Sequence, residues 1–285
     1  MARIGQNPFK NNVQIPHHPD LSLCVVTHYT DDPYHHNRMD VVRLCLDSML
    51  AGLDGISYEL LVWDNQSTNE FRAMLGGYRP TIFTQSVNIG AHNARHALMG
   101  MASAPIVCRT DDDVLFSPDW LHLQLEILTT YPNVGLVSGT PQHTAFRAGV
   151  QHTINWALST KECKVRVGQI IPKEWEHDYC ISVGKDWDKY RADPHWQQVQ
   201  DYEIEYKDVF AYAHGHHMQF LAYRDIIAPF VKRLPVMLDN KYLFNIPVDE
   251  AGLLQLTTQK RTAIHIGNVI DESIVRINEE WKVRA

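Results

Sequence analysis

Pro105-Ile-Val-Cys-Arg-Thr-Asp-Asp-Asp113 is a short apolar run that ends in three consecutive carboxylates. The apolar part reads as a buried strand, Pro105 to Arg109, running straight into the acids. Successive strand residues point to opposite faces, so Asp111 and Asp113 share a side. Two carboxylates side by side repel, and without a cation one of them is driven toward protonation. A divalent ion removes that conflict. All-oxygen ligation suits Mg²⁺ or Mn²⁺, with positions left for substrate phosphates. The competing reading is a solvated acidic turn or a helix N-cap, since Pro118 and Trp120 signal a helix just downstream. The place of the acids at a strand end, beside a second polar cluster, favours the metal.

Outward from this stretch, the chain alternates between strand and helix. Leu21–Thr27 is a mostly apolar run expected to form a buried strand. Met39, Val42, Leu46, Met49 and Leu50 recur at helical spacing between Met39 and Leu53. Glu59–Trp63 reads as a second buried strand that ends at Asp64-Asn-Gln-Ser-Thr68. Thr81–Thr84 reads as a third strand, and Asn93–Ala102 as a helix. This pattern, sustained to about residue 140, predicts a central, mostly parallel sheet covered by helices on both faces. Ligands collect at the carboxyl ends of such strands, and both polar clusters, 64–68 and 111–113, fall there.

The second half is less regular. Between Gln151 and Tyr206 lie four of the seven tryptophans, Trp156, Trp175, Trp187 and Trp196, interleaved with charges. They read either as core filler or as an aromatic platform for an acceptor. Residues 1–20 are polar and proline-bearing and read as an N-terminal extension.

The bulk numbers exclude little. A chain of 285 residues with 45% apolar and 21% charged residues is ordinary for a globular protein. Its net charge of −7 gives no support to a general phosphate-backbone binder. Five scattered cysteines without a CxxC pair fit a reducing compartment. With no apolar run of the roughly 18 residues that a span requires, a cytoplasmic protein is expected.

These segments together resemble the opening of family 2 glycosyltransferases with the GT-A (Rossmann-like) fold. Tyr58-Glu-Leu-Leu-Val-Trp-Asp-Asn-Gln-Ser-Thr68 is similar to that family's "YEIIVVDNGSTD" segment. Asn88-Ile-Gly-Ala-His-Asn93 is similar to its "N-x-G" stretch, and Thr110–Trp120 to its "DxD" motif followed by "P-x-W". The resemblance implies one GT-A domain over residues 21–285, with a nucleotide-sugar-binding half at 21–140. Residues 141–285 would form the acceptor-binding and catalytic half. It implies donor contacts from Thr27, Asp64, Asn88, Gly90, Asp111 and Asp112. It also implies a divalent cation, Mn²⁺ or Mg²⁺, on Asp111 and Asp113.

Later segments extend the resemblance in fragments. Gly215–Asp225 is similar to the family's acceptor-side "G-x-x-M-x-x-R-R" strand. Val248-Asp-Glu-Ala-Gly-Leu-Leu254 resembles its "ED-x-x-L" motif, which makes Asp249 or Glu250 the expected general base. Ile264-His-Ile-Gly-Asn268 resembles a late "H-x-G" segment and carries over His265 as a metal-side residue. Gln151–Tyr206 matches no segment of the family. His214, His216 and His217 lack the partner motif of a zinc site; His216 and His217, with Trp196, are expected on the acceptor side. Arg109 is expected as a structural partner of one of the acids.

The implied activity is metal-dependent transfer of a sugar from a nucleotide diphosphate, a uridine diphosphate sugar by default, to an acceptor hydroxyl with inversion. The acceptor is open between a saccharide, a protein and a modified nucleic-acid base. Two other readings compete: a non-catalytic nucleotide- or sugar-binding module on the same fold, and a nucleotidyltransferase. The second would call for a Gly-rich basic loop after the first strand, and Thr27-His-Tyr-Thr-Asp-Asp32 has none.

Overall fold

Leu21–Thr27 forms β1, buried along nearly its whole length. Its side chains alternate between two cores, with Leu21, Leu23 and Val25 in one and Cys24 in the other. A strand covered on both faces needs apolar side chains at both parities, which explains the uninterrupted run. The second strand, β2 (Tyr58–Asn65), repeats this with Leu60 and Val62 on one side and Leu61 on the other. At the sheet's edge lies β3 (Ile82–Ser86), half-exposed, and β4 (Ile106–Asp111) carries the apolar run to the first acid.

The computed structural model describes residues 19–35, 37–143, 149–231 and 240–283. Residues 1–18 of the expected extension therefore lie outside the described residues.

Helix α1 (Arg38–Ala51) buries Val41, Val42, Cys45, Leu46 and Met49, one stripe at helical spacing. Helix α2 (Asn69–Gly76) is capped by the Thr68 hydroxyl, which accepts from Phe71 N at 3.4 Å. It buries only Phe71 and Leu75, too few to leave a periodic signal in the sequence. Helix α3 (Ala91–Gly100) begins two residues earlier than its apolar pattern suggests. Its true start is set by Gly90, whose φ of 82° turns the chain out of the preceding loop. The short strand β5 (Val114–Phe116) follows the acids, and α4 (Trp120–Thr130) starts at the expected Pro-Asp-Trp.

The rest of the chain supplies β6 (Val134–Ser138), α5 (Gln151–Ser159), β7 (Cys163–Gly168), α6 (Lys173–Ser182), α7 (Trp187–Arg191) and α8 (Pro194–Gln198). Then come β8 (Asp201–Tyr206), β9 (Val209–Ala213), β10 (Gln219–Tyr223) and α9 (Arg224–Ile227). The last elements are α10 (Asn240–Glu250), β11 (Leu254–Thr258), β12 (Ala263–His265) and α11 (Glu272–Val283).

One ten-stranded sheet has the order β3-β2-β1-β4-β10-β6-β11-β9-β8-β7. It is parallel from β3 to β4 and again between β6 and β11. Antiparallel β10 sits between β4 and β6, so β6 and β11 run in the same direction as β1. The carboxyl ends of β1, β2, β4, β6 and β11 thus share one edge. A separate two-stranded sheet pairs β5 with β12 and sets His265 opposite Val114.

Of the four tryptophans of the second half only Trp196 is buried, and the other three are half-buried against neighbouring side chains. Trp156 packs on Tyr131 and Tyr206, and Trp187 on Tyr190 and Trp196. Trp175 lies under the guanidinium of Arg261. No helix among the described residues is long and apolar enough to cross a membrane.

Candidate active site

Register at the carboxyl edge decides which residues meet. Thr27 pairs with Asp64 across β1 and β2, and Val26 with Asp111 across β1 and β4. A cavity of about 270 Å³ opens there, lined by Val26, Thr27, His28, Tyr34, His35, Arg38 and Asn65, with Ala91, Arg95, Asp111–Asp113 and Asn268 completing it.

Asp64 itself is fully buried and turned to the protein. Arg72 Nε donates to its Oδ2 at 2.6 Å, and Ser67 N to its Oδ1 at 3.1 Å. It closes the turn after β2, while its neighbour Asn65 reaches the cavity. Asn65 Nδ2 donates to Asn88 Oδ1 at 2.9 Å, and Asn65 Oδ1 accepts from Ile89 N at 2.8 Å. Asn88 Oδ1 also accepts from Gly90 N at 2.9 Å. Asn88 and Gly90 therefore shape the loop that brings Ala91 and Arg95 to the cavity.

The three acids meet three guanidiniums. Arg38, from the first turn of α1, bridges Asp112 and Asp113, with Nη1 3.0 Å from Asp113 Oδ2. Asp111 Oδ1 accepts from Arg95 and, at 2.8 Å, from Arg109 Nη2, the structural partnership expected of Arg109. Burial works to raise the Asp111 carboxyl, but Arg109 and Arg95, helped by His217 and His265, hold it below its usual value. Burial pushes Asp112 up to about 6; Arg38 opposes this, and the charges of Asp113 and Asp111 add to it. Burial also lowers Arg109 to about 9, with Arg95 adding repulsion.

Two carboxylate oxygens, Asp112 Oδ2 and Asp113 Oδ1, are buried without a hydrogen-bond partner among the described residues. Such atoms ask for a cation. The imidazole of His265 stands beside them, Nε2 3.5 Å from Asp113 Oδ2, because β12 pairs with β5 and Ile266 N donates to Asp113 O at 2.7 Å. Among the described residues no three His, Cys, Asp or Glu side chains enclose a metal position. Asp113 and His265 still fit a divalent ion of the kind that takes one or two protein ligands and completes its shell with phosphates and water. Asp111, expected beside Asp113 as a ligand, has one oxygen committed to two guanidiniums.

The acceptor-side expectations fare unevenly. His216 is buried, with Nδ1 accepting from Met218 N at 3.1 Å, and its ring stacks on His217. Met218 O in turn accepts from Asp111 N at 2.9 Å, so the histidine loop abuts the acids. His214 is turned inward, its Nδ1 3.1 Å from Thr257 Oγ1. Trp196 offers no open platform: only 8% exposed, it packs edge-on against His143 and Trp187. Burial in that cluster, rather than an open face, explains it.

Asp249 and Glu250 are not brought to the acids. They end α10, five and four residues before Leu254, which pairs with Val134 where β6 begins. That is the edge of the sheet opposite to the acids. Asp249 Oδ1 accepts from His152 N at 2.9 Å and so caps α5, while Glu250 is exposed. The resemblance matched a local pattern, whereas strand direction sets the edge.

Sequence reasoning missed Arg38, Arg95 and the contribution of α6. Arg38 did leave a signal, since a cation in the first turn of a helix is unfavourable unless an acid offsets it. Helix α6 left none; it packs on β12, and Tyr179 sets its ring edge-on to both His216 and His265.

An α/β sheet, parallel through its first half and carrying an acidic triad at its carboxyl edge, defines the GT-A class of nucleotide-sugar-binding folds. Glycosyl transferase family 2 matches residues 34–181, more than half of the chain, and the protein belongs to that family. Among solved structures, residues 1–349 of Staphylococcus aureus TarS are similar at 12% identity, over 93% of this chain and 66% of that one, with a TM-score of 0.48. The same protein in complex with UDP matches 44% of this chain and 38% of that one at 20% identity and a TM-score of 0.36. A Pyrobaculum calidifontis mannosyltransferase, PcManGT, in complex with GDP-Man and Mn²⁺, matches at 22% identity over 46% of this chain and 38% of that one, TM-score 0.35. This chain thus spans between 38% and 66% of the length of these structures. No curated protein matches it.

Proposed function

We propose that the protein is a metal-dependent glycosyltransferase that moves a sugar from a nucleotide diphosphate to an acceptor hydroxyl, with inversion. The observation that carries this reading is the pair of carboxylate oxygens on Asp112 and Asp113, without a partner among the described residues, beside His265 at the strand-end edge. Thr27 and Asn65 line the same cavity and are the candidates to contact the nucleoside. Asp113 and His265 would hold Mn²⁺ or Mg²⁺, which supplies charge neutralisation for the leaving diphosphate. Arg38 and Arg95 line the cavity as well, and donor phosphates would compete with the acids for these guanidiniums.

Inversion needs a base beside the acceptor hydroxyl. Neither Asp249 nor Glu250 stands near the acids, which lends weight to a second reading, a donor-binding module without transfer. A uridine diphosphate sugar is the donor proposed by resemblance; a saccharide, a protein and a modified nucleic-acid base stay open as acceptors.

The experiment is a thermal-shift panel of nucleoside diphosphates and their sugars, each with Mn²⁺ and again with EDTA. A ligand that binds only the native state raises the melting point by mass action. The expected result is a shift with one base that disappears in EDTA. A folded protein that shifts with no nucleotide would overturn the reading. Release of nucleoside diphosphate from the bound donor separates an enzyme from a binding module.

A further inference from the structure

Helix α6 carries none of the family motifs quoted above, yet its last residue, Ser182, touches the proposed cation site. Ser182 Oγ lies 2.8 Å from His265 Nδ1 and, on its other side, 2.8 Å from the carbonyl oxygen of Tyr179. A hydroxyl has one proton to give. The Tyr179 carbonyl has none, so the Ser182 proton satisfies that bond, the usual partnership of a serine with the carbonyl one turn back. Ser182 Oγ is then an acceptor toward the imidazole, and the proton of that second bond belongs to His265 Nδ1.

We propose that Ser182 is a positioning residue that holds His265 as the Nδ1–H tautomer and so turns the Nε2 lone pair toward Asp113. Nε2 and Asp113 Oδ2, 3.5 Å apart, then face each other as two acceptors, an arrangement suited to sharing a cation. Placement of Ser182 is itself built in. Gly267, two residues past His265, has a φ of 78°, and a Cβ there would collide with the Ser182 carbonyl oxygen. The glycine of His265-Ile-Gly267 is thereby the docking point for the end of α6, and the histidine of the same tripeptide takes the hydroxyl.

The consequence for metal affinity rests on the cation site proposed above, whereas the tautomer belongs to the metal-free protein. Two measurements keep them apart. Long-range ¹H–¹⁵N correlation spectra of the metal-free protein at mildly alkaline pH report which nitrogen of His265 carries the proton. Nδ1–H is expected in the wild type and in Ser182→Thr, with loss of that preference in Ser182→Ala. Titration with Mn²⁺ by calorimetry should show affinity falling by about 10- to 100-fold in Ser182→Ala and staying near wild type in Ser182→Thr. Circular dichroism and the melting point of Ser182→Ala should match the wild type. An Nε2–H tautomer in the wild type overturns the proposal, as does unchanged Mn²⁺ affinity in Ser182→Ala. Failure of the wild type to bind Mn²⁺ overturns the cation site instead, and the spectra then decide the role of Ser182 alone.

Discussion

Arg38 Nη1 lies 3.0 Å from Asp113 Oδ2, and its other amino group reaches Asp112, across more than seventy residues of chain. Asp112 and Asp113 would repel each other strongly in a buried site without this guanidinium. Burial alone would lower the pKa of Arg38, and the two carboxylates hold it above its ordinary value instead.

Arg38→Ala leaves two acids buried and unpaired, and removal of one partner from a buried ion pair costs about 3–5 kcal/mol. Urea unfolding in EDTA should report a loss of that order. Saturating Mn²⁺ should restore more stability to this variant than it adds to the wild type. An equal Mn²⁺ effect in the two proteins would argue that the cation does not sit against these acids.

Asp113→Asn should abolish Mn²⁺-dependent nucleotide binding and lower transfer by more than about a hundredfold, since Lewis-acid stabilisation is worth several kcal/mol. Its fold should persist, because Arg38 keeps Asp112. Equilibrium binding of a nucleoside diphosphate, with and without Mn²⁺, checks this. Wild-type turnover in the variant removes Asp113 from the site.

Asp249→Asn and Glu250→Gln should each keep turnover close to wild type, because both residues lie at the far edge of the sheet. Asp249→Ala should instead cost about 1 kcal/mol of stability, the worth of a helix N-terminal cap, through the lost bond to His152 N. Single-turnover assays with bound donor separate these outcomes, and a slow Asp249→Asn enzyme with normal donor affinity would return the base to Asp249.

Stability should fall as the solution is acidified. Burial holds His214 down at about 3 and His96 at about 4, and drives His216 well below its usual value. The unfolded chain protonates these residues near the ordinary imidazole value of about 6.5. The unfolded state therefore binds more protons below that pH, so stability is full above it and is lost as pH falls toward the folded values. His143 acts in the opposite sense: burial lowers it, but the bond to Asp201 wins and raises it, so its contribution fades as pH rises. Melting points between about pH 8 and about pH 5 should slope downward, and His214→Asn should flatten the slope. An unchanged slope would exclude His214 as a source.

Much of the donor half was legible because each signal there is local. The runs 21–27, 58–65 and 106–111 are strands since both faces of a parallel sheet are buried, and burial demands apolar residues at every turn of the chain. Asp111–Asp113 announced a charged centre for the same reason, three acids having no business at the end of an apolar strand without a partner. The identity of that partner was not local. Arg38 and Arg95 reach the acids from two helices, and Ser182 reaches His265 from a third. Asp249 shows the limit most clearly. Its sequence neighbourhood resembles a catalytic motif, but the direction of β11 in the sheet fixes which edge it occupies, and direction is a property of strand pairing. The sequence alone determined the strands, their burial and the acidic centre; the tertiary structure decided which cations and histidines answer it, because only packing brings distant side chains within hydrogen-bond reach.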